Sequence, residues 1–369
     1  MVFLIVKTVL ILSAINGTLA ILLVVAERFF ANYGTCKISV NDEKELSVQG
    51  GTSLLSALSS QKIFLPSACG GRGTCAYCKC KVEAGAGPVL PTELPLLTET
   101  EIQAQVRLAC QVKVKQDLKI RIPEELFLIQ EFQAEVTTIR DLTHDIKLVR
   151  LHLIQPDAIH FKAGQYVQLE SQPYDGVKER VQRAYSIASP AYESNGIDLL
   201  IRLVPDGICT TWVHQYLKEG DQVKLVGPMG DFYLRESASE IVMVAGGSGM
   251  APMISLLSDM AKNKNARKAT YFFGAVTKRD LFYLDEMKLL EKDVPNFTFV
   301  PALSEPAAED DWHGATGLIT KPLEDYLSTI DAKNAQGYLC GSPGMINACV
   351  NVMKSKGMDE KQIFFDPFG

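Results

Sequence analysis

Positive charge is not in surplus: 37 Lys and Arg stand against 43 Asp and Glu, a formal net charge of −6. A chain with this balance offers no basic field to a phosphate backbone, which excludes nucleic acid as the natural partner. Histidine is scarce. Its five copies fall at no metal-ligand spacing, so no histidine-based metal centre is expected, and His214 reads as a surface or packing residue. The nine cysteines are too few and too crowded for the disulfide framework of a secreted domain. No internal repeat or low-complexity tract is visible, and 47% hydrophobic with 22% charged residues excludes disorder as the default. At 369 residues the chain has room for two or three domains, each with its own core. Small molecules and electron carriers are the partners that remain.

Charge is also missing from residues 8–26. As a helix this stretch rises about 28 Å, close to the roughly 30 Å hydrocarbon core of a bilayer. A cleaved signal peptide is the rival reading. Against it, Lys7 is the only basic residue in front, and the run exceeds the usual signal core of about 7 to 15 residues. Residues 1–30 are therefore expected to be a single membrane anchor. Lys7 would snorkel to one interface, with Arg28, Phe29, Phe30 and Tyr33 forming a belt at the other.

Three blocks follow. Residues 35–125 combine short alternating strands, such as 37–40 and 112–114, with a helical stretch at 53–60 and a Gly/Cys loop, which predicts a small α+β domain. Residues 130–236 carry strands at 135–139, 146–153, 166–169, 198–203 and 222–226, broken by Gly and Pro, with one helix near 211–217. That spacing predicts a small antiparallel β-barrel. Residues 237–369 alternate strands at 241–245, 269–273, 297–300 and 337–340 with helices, the order of a parallel doubly wound α/β sheet that binds its ligand at the strand C-termini.

The sharpest chemical signal is Cys69-Gly-Gly-Arg-Gly-Thr-Cys75-Ala-Tyr-Cys78, followed by a lone Cys110. Four thiolates are what a [2Fe-2S] cluster requires. Gly70, Gly71 and Gly73 allow the backbone to wrap and turn N–H groups toward the sulfurs, which stabilises negative charge. Structural zinc is the competing reading, but zinc sites usually pair their ligands in two short knuckles, whereas three ligands share one loop here. Cys80 is expected to be a packed thiol.

The remaining motifs are Arg183-Ala184-Tyr185-Ser186, Gly207-Ile208-Cys209-Thr210, Gly227-Pro228-Met-Gly230-Asp-Phe232, Gly246-Gly247-Ser-Gly249-Met250-Ala251-Pro252-Met253, Gly274-Ala275 and Cys340-Gly341. Read singly, they are a strand tyrosine, glycine turns and a loop between strand and helix. Taken with the cysteines, and with a five-residue gap between the first two where the plant-type pattern has four, they resemble one family across essentially the whole chain. It is the FAD and iron-sulfur subunit of bacterial sodium-translocating NADH:quinone reductases, within the ferredoxin reductase superfamily.

That resemblance implies a ferredoxin-like β-grasp domain, an FAD barrel and an NADH domain behind the anchor. It implies that Arg183 pairs with the FAD pyrophosphate, that Tyr185 packs on the isoalloxazine and that Ser186 hydrogen-bonds flavin N5. It assigns Gly207–Thr210 to the FAD pyrophosphate and Gly246–Pro252, Gly274 and Gly341 to NADH. Cys340 would lie near the nicotinamide, and Phe368 would stack over the isoalloxazine until NADH displaces it; an aromatic tail tucked into the sheet is the alternative for Phe368. Lys278 and Arg279 raise NADPH as a substrate, but similar charges occur in the NADH-using family. The implied activity is NADH dehydrogenation through FAD and the cluster to a quinone-reducing, sodium-translocating complex with other membrane subunits, single-pass in the inner membrane and facing the cytoplasm. One departure is the short segment 172–182, where the family carries a long insertion. It gives the chain a likeness to reductase components that serve oxygenases.

Overall fold

The structure is a computed structural model that describes residues 6–7, 10–20, 22 and 33–368. Two compact units emerge, Met1–Ile129 and Gln130–Gly369. Residues 10–20 are helical and exposed. Among the described residues no helix is long and apolar enough to cross a membrane. Much of the expected anchor, together with Arg28, Phe29 and Phe30 of its belt, lies outside the described residues. Tyr33 is described: it packs against the core of the first unit with the Lys113 ammonium 5.6 Å from its ring centroid.

In the first unit, β1 (Thr35–Val40), β2 (Lys44–Gln49), β3 (Lys79–Ala84), β4 (Val106–Leu108) and β5 (Leu118–Arg121) form one sheet in the order β2-β1-β5-β3-β4. Alternation turns Ile38 and Val40 inward onto helix α1 (Leu54–Ser60), which buries Leu54, Ala57 and Leu58. Each of the Ile, Val and Leu side chains contributes about 1.5–3 kcal/mol by leaving water. Ser53 is not helical but caps α1, its hydroxyl accepting from the Ser56 N–H at 3.1 Å. The strand expected at 112–114 is absent. Those residues bond to the start of α1 and the preceding turn instead, Leu54 N–H to the Val112 carbonyl and Val114 N–H to that of Thr52, so only a single bridge forms, between Ser53 and Lys113.

The second unit begins with β6 (Gln130–Asp141), β7 (Ile146–Gln155), β8 (Tyr166–Glu170), β9 (Gln182–Ser186), β10 (Gly196–Arg202) and β11 (Gln222–Met229), all antiparallel in the order β10-β7-β6-β11-β8-β9. A bridge between Ile187 and Leu199 closes the sheet into a barrel. Its helix, α3 (Ile208–Gln215), starts at Ile208, after an extended Gly207 N-cap, rather than at residue 211; α2 (Glu99–Gln103) belongs to the first unit. The parallel sheet follows: β12 (Glu240–Gly246), β13 (Ala269–Ala275), β14 (Phe297–Leu303), β15 (Ala315–Thr316), β16 (Ala335–Gly341) and β17 (Ile363–Pro367), ordered β15-β14-β13-β12-β16-β17. The strand order reverses between β12 and β16. In such sheets that switch point opens a crevice at the strand C-termini.

A buried ion pair locks the first unit around its cysteine loop. Arg107 and Glu93 are both under 5% exposed, and the guanidinium donates to the Glu93 carboxylate, with Nη2 to Oε2 at 2.6 Å. The rest of that guanidinium donates to the carbonyls of Gly87 and Pro88, while Glu93 accepts the N–H groups of Leu90 and Leu108. Burial works against the Glu93 charge, but these donors outweigh it and hold the carboxyl below its ordinary value. Its stabilisation is therefore present above the usual glutamate range and is lost as pH falls through the depressed native value. Arg107→Met, which leaves Glu93 charged and buried, should cost about 3–5 kcal/mol. Urea melts followed at neutral pH check it; a variant as stable as the parent contradicts the reading.

Candidate functional site

The cysteine loop owes its shape to left-handed backbone at Gly70, Gly71, Gly73 and Ala76, which only glycine adopts without cost at most of these positions. The Gly71 N–H donates to the Ser67 hydroxyl at 2.9 Å. This turn brings Cys69 and Cys75 within 3.4 Å, sulfur to sulfur, while Cys78, fully buried, hydrogen-bonds Cys110. In each pair one thiol ionises at its partner's expense. The Cys75 thiol donating to it pulls Cys69 down to about 3, against burial and with help from the N–H groups of Thr74 and Cys75. Cys78 draws Cys110 down to about 7, against burial and with help from the Gln111 side chain. Cys75 and Cys78 are correspondingly raised. No three His, Cys, Asp or Glu side chains among the described residues gather as they would around a single ion. Four thiols in two pairs, fed by loop N–H groups, suit two irons better than one tetrahedral zinc. Cys80 is 4% exposed and pushed up to about 12 by burial, a packed thiol pointing into the core.

In the second unit, β9 is an edge strand of the barrel sheet whose residues Gln182 to Tyr185 are only half-buried. A half-buried strand offers an open face to a flat ligand. The Arg183 guanidinium donates to the Gln182 carbonyl at 2.7 Å and stays half-buried; Ala184 beside it has no bulk to obstruct the face. The Tyr185 hydroxyl is buried against the Cys209 thiol. Below it, α3 begins after Gly207 with no side chain capping its first turn, the arrangement that suits a phosphate oxygen. A Cβ on Gly207 would come within 2.5 Å of the Thr210 hydroxyl, which accepts the Val204 N–H and so ties Ile208, Cys209 and Thr210 to the end of β10.

At the switch point, β12 runs into Gly246 and Gly247, the latter left-handed at φ +56°, and then into α4 (Met250–Lys262). Gly249 is pressed against β16: an added Cβ would lie 2.4 Å from the Cys340 carbonyl oxygen. Met250, Ala251 and Pro252 are buried at the head of α4. Gly274, next to last in β13, lies under Ile319, and Gly341 ends β16 under Met345. The loop is therefore a bare backbone cradle facing the β16 terminus. Arg202, at the end of β10, lies beside it, its Nη1 3.5 Å from where a Gly247 Cβ would be. Lys278 is engaged elsewhere, donating to the Asp310 carbonyl at 2.6 Å.

Three residues chosen from sequence meet here. Ser186, at the end of β9, donates through Oγ to Asp366 Oδ2 at 3.3 Å. Asp366 pairs in register with Cys340 across β17 and β16. Cys340 is fully buried, and burial followed by the Asp366 charge holds its thiol well above the ordinary value, so it is neutral. The Phe368 N–H donates to the Gly341 carbonyl at 2.8 Å, and its half-buried ring packs against the core that includes Cys340. Thus the tail joins the sheet through Pro367 while its last aromatic stays at the site. Asp366 and Arg202 escaped the sequence reading. The Asp366 signal was its place two residues before Phe368.

Gly249→Ala should separate the loop from β16 without touching the barrel. The expected result is a KM for NADH raised at least about tenfold with flavin content intact, checked by titration and steady-state kinetics; an unchanged KM would show that the close approach does not shape the dinucleotide site.

The family described as 2Fe-2S iron-sulfur cluster binding domain matches residues 34–115, Oxidoreductase FAD-binding domain matches 133–233, and Oxidoreductase NAD-binding domain matches 243–351. Among solved structures, the Amycolatopsis cytochrome P450 reductase GcoB is 28% identical with a TM-score of 0.73, covering 90% of this chain and 99% of its own. A ferredoxin reductase in carbazole 1,9a-dioxygenase is 25% identical with a TM-score of 0.70, covering 91% and 98%. The F subunit of the Na(+)-translocating NADH-quinone reductase of Neisseria gonorrhoeae is 35% identical over 95% of this chain and 96% of its own length. Its counterpart in Klebsiella pneumoniae is 37% identical over 94% and 95%. With four thiols paired in the first unit, and an open strand face and a glycine cradle in the second, the chain belongs to the family of the F subunits of Na(+)-translocating NADH-quinone reductases.

Proposed function

We propose that this chain oxidises NADH and delivers the electrons, through FAD and a [2Fe-2S] cluster, to a quinone-reducing membrane complex of the kind its relatives are named for. The observation that carries the reading is the meeting of Ser186, Cys340 and Asp366 at the switch point, beside the Gly249 cradle. The bound groups supply the chemistry, which converts the two-electron donation of NADH into single-electron transfers. The protein's part is placement. Arg183 and the first turn of α3, residues Gly207 to Thr210, would hold the FAD pyrophosphate, and Tyr185 would offer its ring to the flavin. The Ser186 hydroxyl, kept oriented by Asp366, would present a donor at the edge of the ring system. Gly246 to Pro252, with Gly274 and Gly341, would receive the dinucleotide. Cys340, neutral and small, admits the nicotinamide without adding charge, and Phe368 covers that place before NADH arrives. Cys69, Cys75, Cys78 and Cys110 would ligate the cluster.

Residues 8–26 would anchor the chain, with the catalytic domains divided as residues 35–125, 130–236 and 237–369 on the cytoplasmic side of the inner membrane. In support, Leu10, Ile11, Leu12, Ile15 and Leu19 are all at least half exposed on the helix, and the Thr18 hydroxyl donates back to the Ala14 carbonyl, which removes a polar group from the surroundings. The competing reading is a reductase component for an oxygenase or another redox partner. It rests on the short segment 172–182 and on the likeness to the two solved reductases.

Removal of residues 1–30 separates the two. NADH oxidation with ferricyanide should stay within about twofold, because the site lies wholly in later residues, whereas quinone reduction in reconstituted membranes at equal flavin content should fall at least about tenfold as the anchor's effective concentration is lost. Equal quinone activity would favour the soluble reductase, and loss of ferricyanide activity would make the helix part of the fold.

A further inference from the structure

Among the described residues β17 is the edge strand of its sheet, laddered with β16 on one side, and yet its end carries Asp366 and Phe368. An edge strand held on one side needs a second restraint if its side chains are to keep a fixed depth. The structure supplies one in the segment between β11 and β12. There the Arg235 guanidinium lies 3.9 Å from the Tyr233 ring centroid and 5.0 Å from that of Phe364 on β17. Phe364 in turn stacks on Tyr338 of β16, centroids 5.1 Å apart at 28°, and Lys162 of the barrel reaches the Tyr233 ring at 4.4 Å. Cations and rings therefore alternate from the barrel to the last two strands. The chain is rigid at its middle. The Arg235 N–H donates to the Tyr338 hydroxyl at 2.9 Å and its carbonyl accepts from Arg267 at 3.0 Å, while its guanidinium is also clamped by the Asp231 carboxylate and carbonyl, each at 2.8 Å.

Register connects this stack to the site. Tyr338 pairs with Phe364, and two residues on, Cys340 pairs with Asp366. Residues two apart on a strand share a face, so the stack lies directly along the strand from Asp366 and Cys340. We propose that Arg235 is a positioning residue for the reaction: by pressing on Phe364 it fixes the lateral set of β17, and thereby holds the Asp366 carboxylate against Ser186. Its action on the site runs through Phe364. The inference rests on the reading of Ser186 and Asp366 as parts of the NADH–flavin site.

The test uses the full-length holoenzyme with ferricyanide as acceptor. Arg235→Met keeps the apolar stem and the backbone bonds but removes the cation. It should retain flavin and cluster content and a KM for NADH within about twofold, while kcat falls about tenfold, the kind of loss a small misplacement of a site group produces. Arg235→Lys should recover most of that loss, since an ammonium still meets the rings. In an Asp366→Asn background Arg235→Met should cost nothing further, because the two changes act through one group. If Arg235→Met turns over within twofold of the parent while Asp366→Asn is impaired, or if the two losses multiply, the positioning role is overturned. Full activity of Asp366→Asn would instead overturn the site reading and the inference with it. Should Arg235→Met fail to retain flavin, Phe364→Leu, which leaves every bond of the linker in place, should show the same fall in kcat at constant KM, and an unchanged kcat there overturns the proposal.

Discussion

The close approach of the Gly249 backbone to the Cys340 carbonyl is the constraint on which the functional half of the molecule depends. It is a steric requirement: the 2.4 Å that a Cβ would leave is well inside any tolerated separation. Because β12 and β16 pair in parallel across the switch point, the same approach that seats the glycine loop also fixes where β16 ends. β17 then adds its strand outside β16, and Asp366 arrives opposite Cys340. The Ser186 hydroxyl joins from the barrel. Four elements distant in sequence thus meet at one crevice.

Electrostatics plays the corresponding part in the first unit. A loop of left-handed glycines gathers four thiols, and the pairing of Cys69 with Cys75 and of Cys78 with Cys110 separates their proton affinities in opposite directions. Metal binding requires all four as thiolates, and the loop N–H groups that donate to sulfur stabilise that charge. The Glu93–Arg107 pair lies under this arrangement and pins the strand that leads, through Leu108, to Cys110. Its value is geometric as much as energetic: an isolated buried ion pair contributes little net stability, while breaking one is costly.

What the sequence made legible was local. Cysteine spacing, the glycine loop between β12 and α4, and alternation in the barrel strands each report on residues within a few positions of one another. Partnerships across the chain were not legible. Ser186 and Asp366 are 180 residues apart, and nothing in the neighbourhood of either names the other. Arg235 reads as an ordinary linker cation until Phe364 is folded beside it. Tyr33, assigned to a membrane belt from its neighbours Phe29 and Phe30, packs on the first unit because Lys113 and the core are brought to it. The Val112–Val114 alternation predicted a strand, but the backbone groups it offered were taken by the start of α1. Helix α3 began three residues early for the same kind of reason, Gly207 supplying an extended cap that propensity alone does not reveal.

The central claim is that NADH electrons reach the cluster held by Cys69, Cys75, Cys78 and Cys110 by way of the flavin. Rapid-mixing absorbance of the flavin combined with freeze-quench EPR, on the full-length protein and on Cys110→Ser, tests it most directly. The account predicts that NADH bleaches the flavin at the same rate in both, because the first unit has its own core, and that the reduced [2Fe-2S] signal follows in the parent but never appears in the variant. A full cluster signal in Cys110→Ser, or a parent whose cluster stays oxidised while its flavin is reduced, would contradict it.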